Sequence, residues 1–359
     1  MLVGMLMNRI AVVAGGTLGH INPALSLIKA IKNTNPNAYI IFLATTKDEK
    51  YESLKMTAID KIFYLKALGL SKSFIRNIKS LSCNYITSKK IKAILKDEKI
   101  EVVIGFGGYI SGITAFVAHH LNIDVYLHEQ NSYMGKANRY TYKYAKTIFI
   151  SYPLINKNIK QEKLCLVGNP VYNDALEVRK KLYKQKNLIL FTSGSLGAQS
   201  INDLAISFMN SPYHNNFEVI IVTGKKYYDN VIKGIKNKEC QILPFTDKLI
   251  ELISKSEIVV TRAGSSTLFE IMGTKTVPIM IPSPNVSENH QYYNAFYFSE
   301  KNMGILLEEH NLTLDTFRDS INKIKNNYAE YLNNINKLND SSITDKMIRR
   351  MCQDERKKI

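Results

Sequence analysis

The chain has 359 residues, of which 45% are hydrophobic and 22% charged, a composition typical of globular proteins and not of disordered ones. Its 48 basic and 31 acidic residues give a net charge of +17, which favours an anionic partner such as nucleic acid, acidic lipid headgroups or a phosphorylated substrate. An AT-rich genome also enriches lysine, so charge alone does not choose among these partners. The length exceeds that of a typical single core, and we expect two domains.

Cysteine spacing and hydropathy exclude further classes of protein. Cys83, Cys165, Cys240 and Cys352 form no Cys-x-x-Cys pair, which argues against a zinc site or a disulfide framework and suits a reducing cytosol. No stretch reaches the roughly 18 to 20 uncharged apolar residues of a membrane span, so any membrane contact should be peripheral. The apolar run at residues 10–14 leads into a glycine turn, which indicates a first strand and not a signal peptide.

Short apolar runs alternate with amphipathic segments, a pattern typical of parallel strands covered on both faces. Strands are predicted at 10–14, 39–44, 102–106, 125–127, 147–150, 188–191, 219–222, 258–260 and 277–281. Helices are predicted at 22–32, 200–209, 265–272 and 290–300. This order predicts an α/β protein with two Rossmann-like, doubly wound domains facing each other across a cleft. In such sheets ligands bind beyond the carboxyl ends of the strands.

The domain boundary is predicted near Val167-Gly168-Asn169-Pro170, because glycine and proline end the preceding apolar run there. We therefore expect a first domain at 1–166 and a second at 167–343. A polar C-terminal helix at about 344–359 is a candidate to pack back on the first domain.

Four glycine-rich turns each follow a predicted strand and open a helix-like segment. They lie at 15–20, 105–112, 192–198 and 261–270. Backbone N–H groups at such turns can bind phosphate. The spacing matches neither the dinucleotide-binding Gly-x-Gly-x-x-Gly pattern nor the Walker pattern. No Asp-x-Asp motif occurs, so a metal-bridged diphosphate is not indicated, and we expect neither a metal nor a cofactor.

Polar side chains gather at the same predicted strand ends. His20 lies at the first turn and not on an apolar helical face, which makes it a candidate for catalysis or substrate binding. The sequence His-Glu-Gln-Asn at 128–131 follows another predicted strand and suggests a site, with an ordinary polar loop as the alternative.

In the second half, Arg262 offers a cation near a bound phosphate, and Glu270 could accept both hydroxyls of a ribose. Gln291 and Asn294 are three residues apart and share one helical face. Neutral amides on one face suit the hydroxyls of a sugar.

The segment from Leu65 to Leu81 has an amphipathic pattern, with apolar residues on one side of a predicted helix and basic residues on the other. These are Phe74, Ile75, Ile78 and Leu81 against Lys72, Arg76 and Lys79. Such a helix can lie on an anionic membrane. Core packing with a solvated basic face is the alternative.

Taken in order, seven motifs resemble the MurG family of glycosyltransferases over about residues 9–307. They are the 15–20 turn with His20, Gly-Gly-Tyr-x-Ser-Gly, His-Glu-Gln-Asn, Gly-Asn-Pro-Val, Gly-Ser-x-Gly-Ala, Thr-Arg-Ala-Gly with Glu270, and Gln-x-x-Asn-Ala. The resemblance implies a GT-B fold and a peripheral protein on the cytoplasmic face of the cell membrane. The implied reaction moves N-acetylglucosamine from UDP-N-acetylglucosamine to the 4-hydroxyl of the muramoyl sugar of lipid I. The product is lipid II of peptidoglycan synthesis, formed with inversion.

The same resemblance implies site residues in both domains. Those for the donor are Ser195, Gly197, Ala198, Phe245, Arg262, Ser265, Glu270, Gln291 and Asn294. Those for the acceptor are Gly15, Gly16, Thr17, Gly19, Gly107, Gly108, Tyr109, Ser111, Asn131 and Asn138. Inversion requires a base that deprotonates the acceptor hydroxyl, and His20 is the first candidate, with Glu129 second. The implied partners are UDP-N-acetylglucosamine, lipid I, an anionic membrane surface and proteins of cell-wall synthesis, with no nucleic acid.

The chain departs from the family pattern beside several of these motifs. Leu18 and Ser193 replace glycines, Ile113 a proline, Tyr172 an arginine and His290 a glutamine. Leu18 puts contacts to the acceptor phosphates in question, and Tyr172 removes one expected cation on the donor side. These changes affect individual contacts more than the expected overall activity.

Three other functions remain open on the sequence. A GT-B transferase could act on a diacylglycerol or another lipid, with a similar donor half. A non-catalytic UDP-sugar sensor at the membrane surface would bind without turnover. Nucleic-acid binding is the weakest, because the basic and aromatic residues form no recognised module.

Overall fold

The computed structural model describes residues 8–69, 74–155, 159–194, 197–237, 239–337 and 342–356, without the side chains of 74–76, 78, 79, 355 and 356. These residues form two compact units. The first contains the described residues up to Pro170 together with those from Ser342 onward, and the second runs from Val171 to Lys337.

Parallel strands form one sheet in each unit. In chain order they are β1 (Arg9–Val13), β2 (Tyr39–Thr45), β3 (Lys61–Leu65), β4 (Val102–Gly105), β5 (Asp124–Glu129), β6 (Thr147–Ile150), β7 (Leu164–Leu166), β8 (Leu188–Thr192), β9 (Glu218–Val222), β10 (Gln241–Leu243), β11 (Ile258–Thr261), β12 (Val277–Met280) and β13 (Ile305–Leu306). The strand order is β3-β2-β1-β4-β5-β6-β7 in the first sheet and β10-β9-β8-β11-β12-β13 in the second. In each sheet the chain first adds strands on one side of a central strand, β1 or β8, and then continues on its other side with β4 or β11. This change of side is the topology of a Rossmann-like unit.

Helices connect the strands. They are α1 (Leu18–Thr34), α2 (Ser53–Met56), α3 (Phe74–Asp97), α4 (Gly108–His120), α5 (Lys136–Thr141), α6 (Val171–Arg179), α7 (Gln199–Met209), α8 (Tyr228–Gly234), α9 (Leu249–Lys255), α10 (Ser265–Gly273), α11 (His290–Glu300), α12 (Leu314–Asn326), α13 (Tyr328–Lys337) and α14 (Ile343–Arg356). Among the described residues, no helix is both long enough and apolar enough to cross a bilayer.

The interior strands are buried along most of their length, as the continuous apolar runs predicted, although Glu218 at the start of β9 is exposed. Every residue of β4, β6, β8, β11 and β12 is buried. All nine predicted strands are present, and the predicted α/β class with two Rossmann-like domains is confirmed.

The start of the first helix was predicted wrongly. The predicted start lies near Asn22-Pro23, whereas α1 begins at Leu18 and contains Pro23. The glycine turn ends at Thr17, whose carbonyl accepts hydrogen bonds from the N–H groups of His20 and Ile21. The earlier start brings His20 into the first turn of the helix.

The last helix, α14, belongs to the first unit, where it packs against α1. The hydroxyl of Thr147 on β6 donates to the Asp354 carboxylate at 2.7 Å. Ile343, Met347 and Met351 of α14 are fully buried, so this helix closes part of the first unit's core.

Candidate active site

A cavity of about 580 Å³ lies beyond the carboxyl ends of β8, β11 and β12 in the second unit. Ser193 and Gly194 follow β8, Arg262 follows β11, and Ser283 lies just beyond β12. This is the edge where parallel sheets of this topology bind their ligands. The lining is rich in hydroxyl and amide groups and in backbone N–H groups.

Two helices begin at this cavity without a capping side chain. The residue before α7 is Ala198 and the residue before α10 is Gly264, and neither helix has an acidic residue in its first turn. The N–H groups at the first turn of a helix lack partners within the helix and carry a partial positive charge. Gln199, Ser200 and Gly264 line the cavity, so two helix N-termini favour an anion in the same space.

The glycine turn before α7 has a strict steric requirement. Gly197 has a φ of +75°, and a Cβ atom there would lie 2.3 Å from the carbonyl oxygen of Thr223. Its N–H donates to the Gly194 carbonyl at 3.3 Å. Only glycine fits this position, which fixes where α7 begins. Ser195, predicted to approach the diphosphate, lies outside the described residues.

Arg262 is held at the cavity wall by three groups. Its Nη1 donates to the Glu309 carboxylate and to the carbonyl of Ile281 at 3.1 Å, and its Nη2 donates to the Ser200 hydroxyl at 3.0 Å. The guanidinium therefore connects the β11–α10 turn to the first turn of α7. The sequence alone did not identify Ser200 or Glu309, because neither belongs to a glycine-rich motif.

The other predicted donor residues fall into three groups. Gly197, Ala198 and Gln291 line the cavity together with Arg262. Ser265, Glu270 and Asn294 are buried and are not among the described lining residues of the cavity. Phe245 is half exposed, with the Lys225 ammonium 5.8 Å from its ring centre. It is not among the described lining residues of the cavity.

Glu270 is a buried carboxyl group on α10. Burial, with a smaller contribution from the nearby Asp174 charge, raises the pKa of Glu270 to about 8. No described residue donates a hydrogen bond to its side chain. The Asn294 amide donates to the Ala263 carbonyl at 3.2 Å, and the Gln291 carbonyl accepts from the Ser283 N–H at 2.9 Å. These amides fix the loops that flank the cavity.

In the first unit, two of the predicted glycine turns meet. Gly108 has a φ of +81°, and a Cβ there would lie 2.5 Å from the Gly15 carbonyl oxygen. This contact places the start of α4 beside the turn that precedes α1. The Gly16 N–H donates to the buried Asp48 carboxylate at 3.1 Å, and the Thr45 hydroxyl donates to the same carboxylate at 2.6 Å. Asp48 thus anchors the first turn, although it lies in a polar loop that no sequence motif marks.

His20 projects from the first turn of α1 toward the second glycine turn. Its Nδ1 lies 3.1 Å from the carbonyl oxygen of Gly15. A carbonyl only accepts, so Nδ1 carries the proton in the neutral ring and Nε2 has the lone pair. Nε2 has no hydrogen-bond partner among the described residues, and the ring lies against Gly107, where a Cβ would come within 2.9 Å of Cδ2.

Glu129, the second candidate base, has its carboxylate occupied. One oxygen accepts from the Asn131 N–H at 3.1 Å, and the other accepts from the Gly135 N–H and the Asn138 amide, both at 2.9 Å. Beside it, burial lowers the pKa of His128 to about 4. These contacts order the loop after β5 and bring Asn131 and Asn138 together.

The remaining predicted acceptor residues lie on α1 and α4 or just before them. Ser111 is buried, and its hydroxyl has no hydrogen-bond partner among the described residues. Tyr109 is exposed and its ring covers Gly69. Gly16, Thr17 and Gly19 are exposed at the start of α1.

The predicted amphipathic segment is described in part. Lys72 lies outside the described residues, as do the side chains of Phe74, Ile75, Arg76, Ile78 and Lys79. Leu81 on α3 is 60% exposed, and Tyr85 and Ile86 beyond it are also exposed. The Lys89 ammonium lies 4.7 Å from the centre of the Tyr85 ring.

Two Rossmann-like units in one chain, one of them with a cavity that favours an anion, are typical of the GT-B glycosyltransferase fold. The chain belongs to glycosyltransferase family 28: the family's N-terminal domain matches residues 10–150, and its C-terminal domain matches residues 188–348. The fold class predicted from the sequence is therefore confirmed.

Curated relatives place the chain more narrowly within this family. A protein of Pediococcus pentosaceus is 30% identical over 88% of this chain and 90% of its own length, and one of Oenococcus oeni is 31% identical over 85% of each. Both are named UDP-N-acetylglucosamine–N-acetylmuramyl-(pentapeptide) pyrophosphoryl-undecaprenol N-acetylglucosamine transferase. The predicted membership of the MurG family is confirmed.

Solved structures share the fold. The crystal structure of Acinetobacter baumannii MurG aligns with a TM-score of 0.76 at 20% identity, over 96% of this chain and 99% of that one. UDP-GlcNAc 2-epimerase from Neisseria meningitidis, bound to UDP-GlcNAc, aligns with a TM-score of 0.67 at 14% identity, over 96% of this chain and 100% of that one.

Proposed function

We propose that this protein transfers N-acetylglucosamine from UDP-N-acetylglucosamine to the 4-hydroxyl of the muramoyl sugar of lipid I, forming lipid II of peptidoglycan. The relatives that align with most of this chain carry the name of this transfer reaction. The structural observation that carries the proposal is the pair of uncapped helix N-termini at one cavity of about 580 Å³. Such a cavity suits an anion, and the anionic part of a nucleotide sugar is its diphosphate.

In this proposal the second unit holds the donor. The N–H groups at the starts of α7 and α10 bind the diphosphate, and Arg262 adds a cation beside them. Glu270 accepts the ribose hydroxyls, while Gln291 and Asn294 face the sugar. Gly197, Ala198 and Ser265 surround the phosphates, and Phe245 lies at the uracil.

The first unit takes the acceptor. The glycine turns at 15–20 and 107–112 present the N–H groups of two helix starts to the pyrophosphate of the lipid, with Asn131 and Asn138 nearby. An uncapped α4 begins after Gly107, and Thr17 makes no side-chain capping bond at α1. An anionic diphosphate suits this second pair of helix starts for the same reason as the first.

Inversion follows from a single displacement at the anomeric carbon of the donor. The acceptor oxygen forms a bond to that carbon while the bond to the diphosphate oxygen breaks and its electron pair leaves with UDP. His20 Nε2 takes the proton of the attacking hydroxyl, because the Gly15 carbonyl keeps the other proton on Nδ1. Helix N-termini and Arg262 stabilise the charge that develops on UDP. Glu129, with its three hydrogen bonds, orders the acceptor loop.

We further propose that the protein binds the cytoplasmic face of the cell membrane peripherally through α3. Leu81, Tyr85 and Ile86 present apolar surface, and Lys89 and Lys90 each lie four residues, about one turn, beyond Tyr85 and Ile86. A helix with this composition and a chain with a net charge of +17 favour anionic lipid. Proteins of cell-wall synthesis are the partners that this location suggests.

The test is transfer of radiolabelled N-acetylglucosamine from its UDP donor to a lipid I analogue, with diacylglycerol as a parallel acceptor. We expect labelled disaccharide-lipid from the lipid I analogue alone. Label on diacylglycerol instead would establish a different lipid acceptor. Binding of UDP-N-acetylglucosamine with no transfer to either acceptor would contradict the proposed reaction and favour a sensor.

A further inference from the structure

Glu309 is an acidic residue in a cavity otherwise arranged to hold an anion. Among the described residues that line the donor cavity, it is the one carboxylate and Arg262 is the one cation. The two form an ion pair, with 32% of the Glu309 side chain and 15% of the Arg262 side chain exposed. The positive charge beside the proposed diphosphate site is therefore partly neutralised.

The ion pair leaves part of the guanidinium available. Both N–H groups of Nη1 are used, by Glu309 and the Ile281 carbonyl, and one of Nη2 donates to Ser200. A guanidinium has five N–H groups, so Nε–H and the second Nη2–H have no hydrogen-bond acceptor in the described part of the chain. Arg262 can donate to a phosphate oxygen while it remains paired with Glu309.

A ligand at Arg262 therefore meets the Glu309 charge as well. Coulomb repulsion between this carboxylate and a bound anion grows in proportion to the charge of the ligand. UDP carries roughly one more negative charge than its sugar ester near neutral pH, because the second pKa of a terminal phosphate is about 6. The carboxylate therefore disfavours UDP more than it disfavours UDP-N-acetylglucosamine.

We propose that Glu309 is a specificity-determining residue that weakens the binding of the product UDP relative to the donor and so speeds product release. This inference rests on the proposed donor site. Glu309 acts on the ligand by its charge, and its pairing with Arg262 holds that charge at the cavity wall. Its role differs from that of an orienting residue, whose loss would weaken both nucleotides by freeing the arginine side chain.

The experiment measures the Kd of UDP and of UDP-N-acetylglucosamine by titration calorimetry near pH 7.5 without divalent cations. Glu309→Gln removes the charge and keeps an oxygen that can accept from Arg262, whereas Glu309→Ala removes both. We expect each variant to bind UDP about tenfold more tightly and UDP-N-acetylglucosamine about fivefold more tightly, because the two free-energy changes scale with the ligand charges. Inhibition of turnover by added UDP should strengthen in parallel, and high salt should reduce the difference between the nucleotides.

Glu308→Gln is the matched control, since it removes the same charge one residue away. Glu308 lines a neighbouring cavity of about 360 Å³, which Glu309 also lines, but it does not line the donor cavity. Its carboxylate lies 3.9 Å from His310, and the ion pair of Arg262 is with Glu309. We expect both affinities to stay within about twofold of the unchanged protein.

The outcomes separate the inference from the function on which it rests. Equal changes for both nucleotides, or no change, overturn the charge mechanism while leaving the donor site intact. Weaker binding in Glu309→Ala but not in Glu309→Gln would make Glu309 an orienting residue and also overturn it. If the unchanged protein binds neither nucleotide, the proposed donor site fails and the inference fails with it.

Discussion

At the scale of single residues, the proposed role of His20 as the base rests on its hydrogen bond to the Gly15 carbonyl, which leaves the Nε2 lone pair to accept a proton. We expect His20→Ala to lower kcat by about 10² to 10⁴, because the attacking hydroxyl loses its proton acceptor. The Kd for UDP-N-acetylglucosamine should stay unchanged, since the proposed donor residues lie in the second unit. The measurements are steady-state transfer to a lipid I analogue and titration calorimetry.

His119→Ala controls for the loss of a histidine, because His119 is exposed at the far end of α4. It should retain the activity of the unchanged protein. If His20→Ala is folded and turns over at a near-normal rate, His20 is not the base.

The buried carboxyl of Glu270 makes stability depend on pH. Its pKa of about 8 in the folded protein exceeds the ordinary value of 4.5, so the folded state binds this proton more tightly than the unfolded chain. The contribution is full below about pH 4.5 and is lost as pH rises through about 8. Glu270→Gln stays neutral at all these pH values. Between about pH 5.5 and 8.5 its Tm should therefore fall by roughly 5 °C less than the Tm of the unchanged protein.

Differential scanning calorimetry at the two pH values provides the comparison. Glu300→Gln replaces an exposed glutamate at the end of α11 and should keep the pH dependence of the unchanged protein. Parallel Tm curves for Glu270→Gln and the unchanged protein would show that Glu270 does not titrate in this range.

At the scale of secondary-structure elements, the glycine turns depend on sterics that can be measured separately. Gly194 and Gly197 both have a φ of +75°. A Cβ at Gly194 meets no atom of the described residues within 4 Å, whereas one at Gly197 overlaps the Thr223 carbonyl oxygen. Gly194→Ala should therefore cost only the backbone strain, about 1 to 2 kcal/mol. Gly197→Ala adds overpacking and should cost about 2 to 5 kcal/mol.

Urea unfolding of the two variants measures these costs as free energies of unfolding. Equal losses would mean that the Thr223 loop moves aside without cost and that backbone conformation alone selects glycine at Gly197.

The elements also show what the sequence can and cannot predict. Every interior strand was predicted, because its residues are apolar and buried on both faces. The four strands that were not predicted, β3, β7, β10 and β13, are the edges of the two sheets. They are short or partly exposed and lack the continuous apolar run on which the prediction depended.

The same limit applies to the site. Glycine turns mark the starts of α1, α4, α7 and α10 in the sequence. A positive φ requires glycine in three of these turns, at Gly16, Gly107 and Gly197, whereas Gly264 before α10 has a φ of -69°. Asp48 and Glu309 act through long-range contacts with Gly16 and Arg262, separated from them by 32 and 47 residues. No local pattern records such a contact, so these residues required the structure.

At the scale of the whole molecule, the proposed membrane binding could depend on the net charge of +17 or on the exposed apolar side chains of α3. A pair of double variants distinguishes the two. Leu81→Glu combined with Ile86→Glu removes two apolar side chains from α3 and adds two negative charges. At about 1 kcal/mol per charge near an anionic surface, and with the lost apolar burial, we expect binding to phosphatidylglycerol vesicles to weaken at least about tenfold. Flotation of the protein with vesicles measures this.

Tyr183→Glu combined with Ile232→Glu is the matched control. Both residues are exposed and lie in the second unit, and the pair changes the net charge by the same amount. If α3 contacts the membrane, this control should bind vesicles nearly as well as the unchanged protein. An equal loss in both double variants would assign binding to the diffuse charge of the molecule. Undiminished binding in the α3 variant would remove α3 from the membrane contact, because two added carboxylates cannot enter an anionic interface without cost.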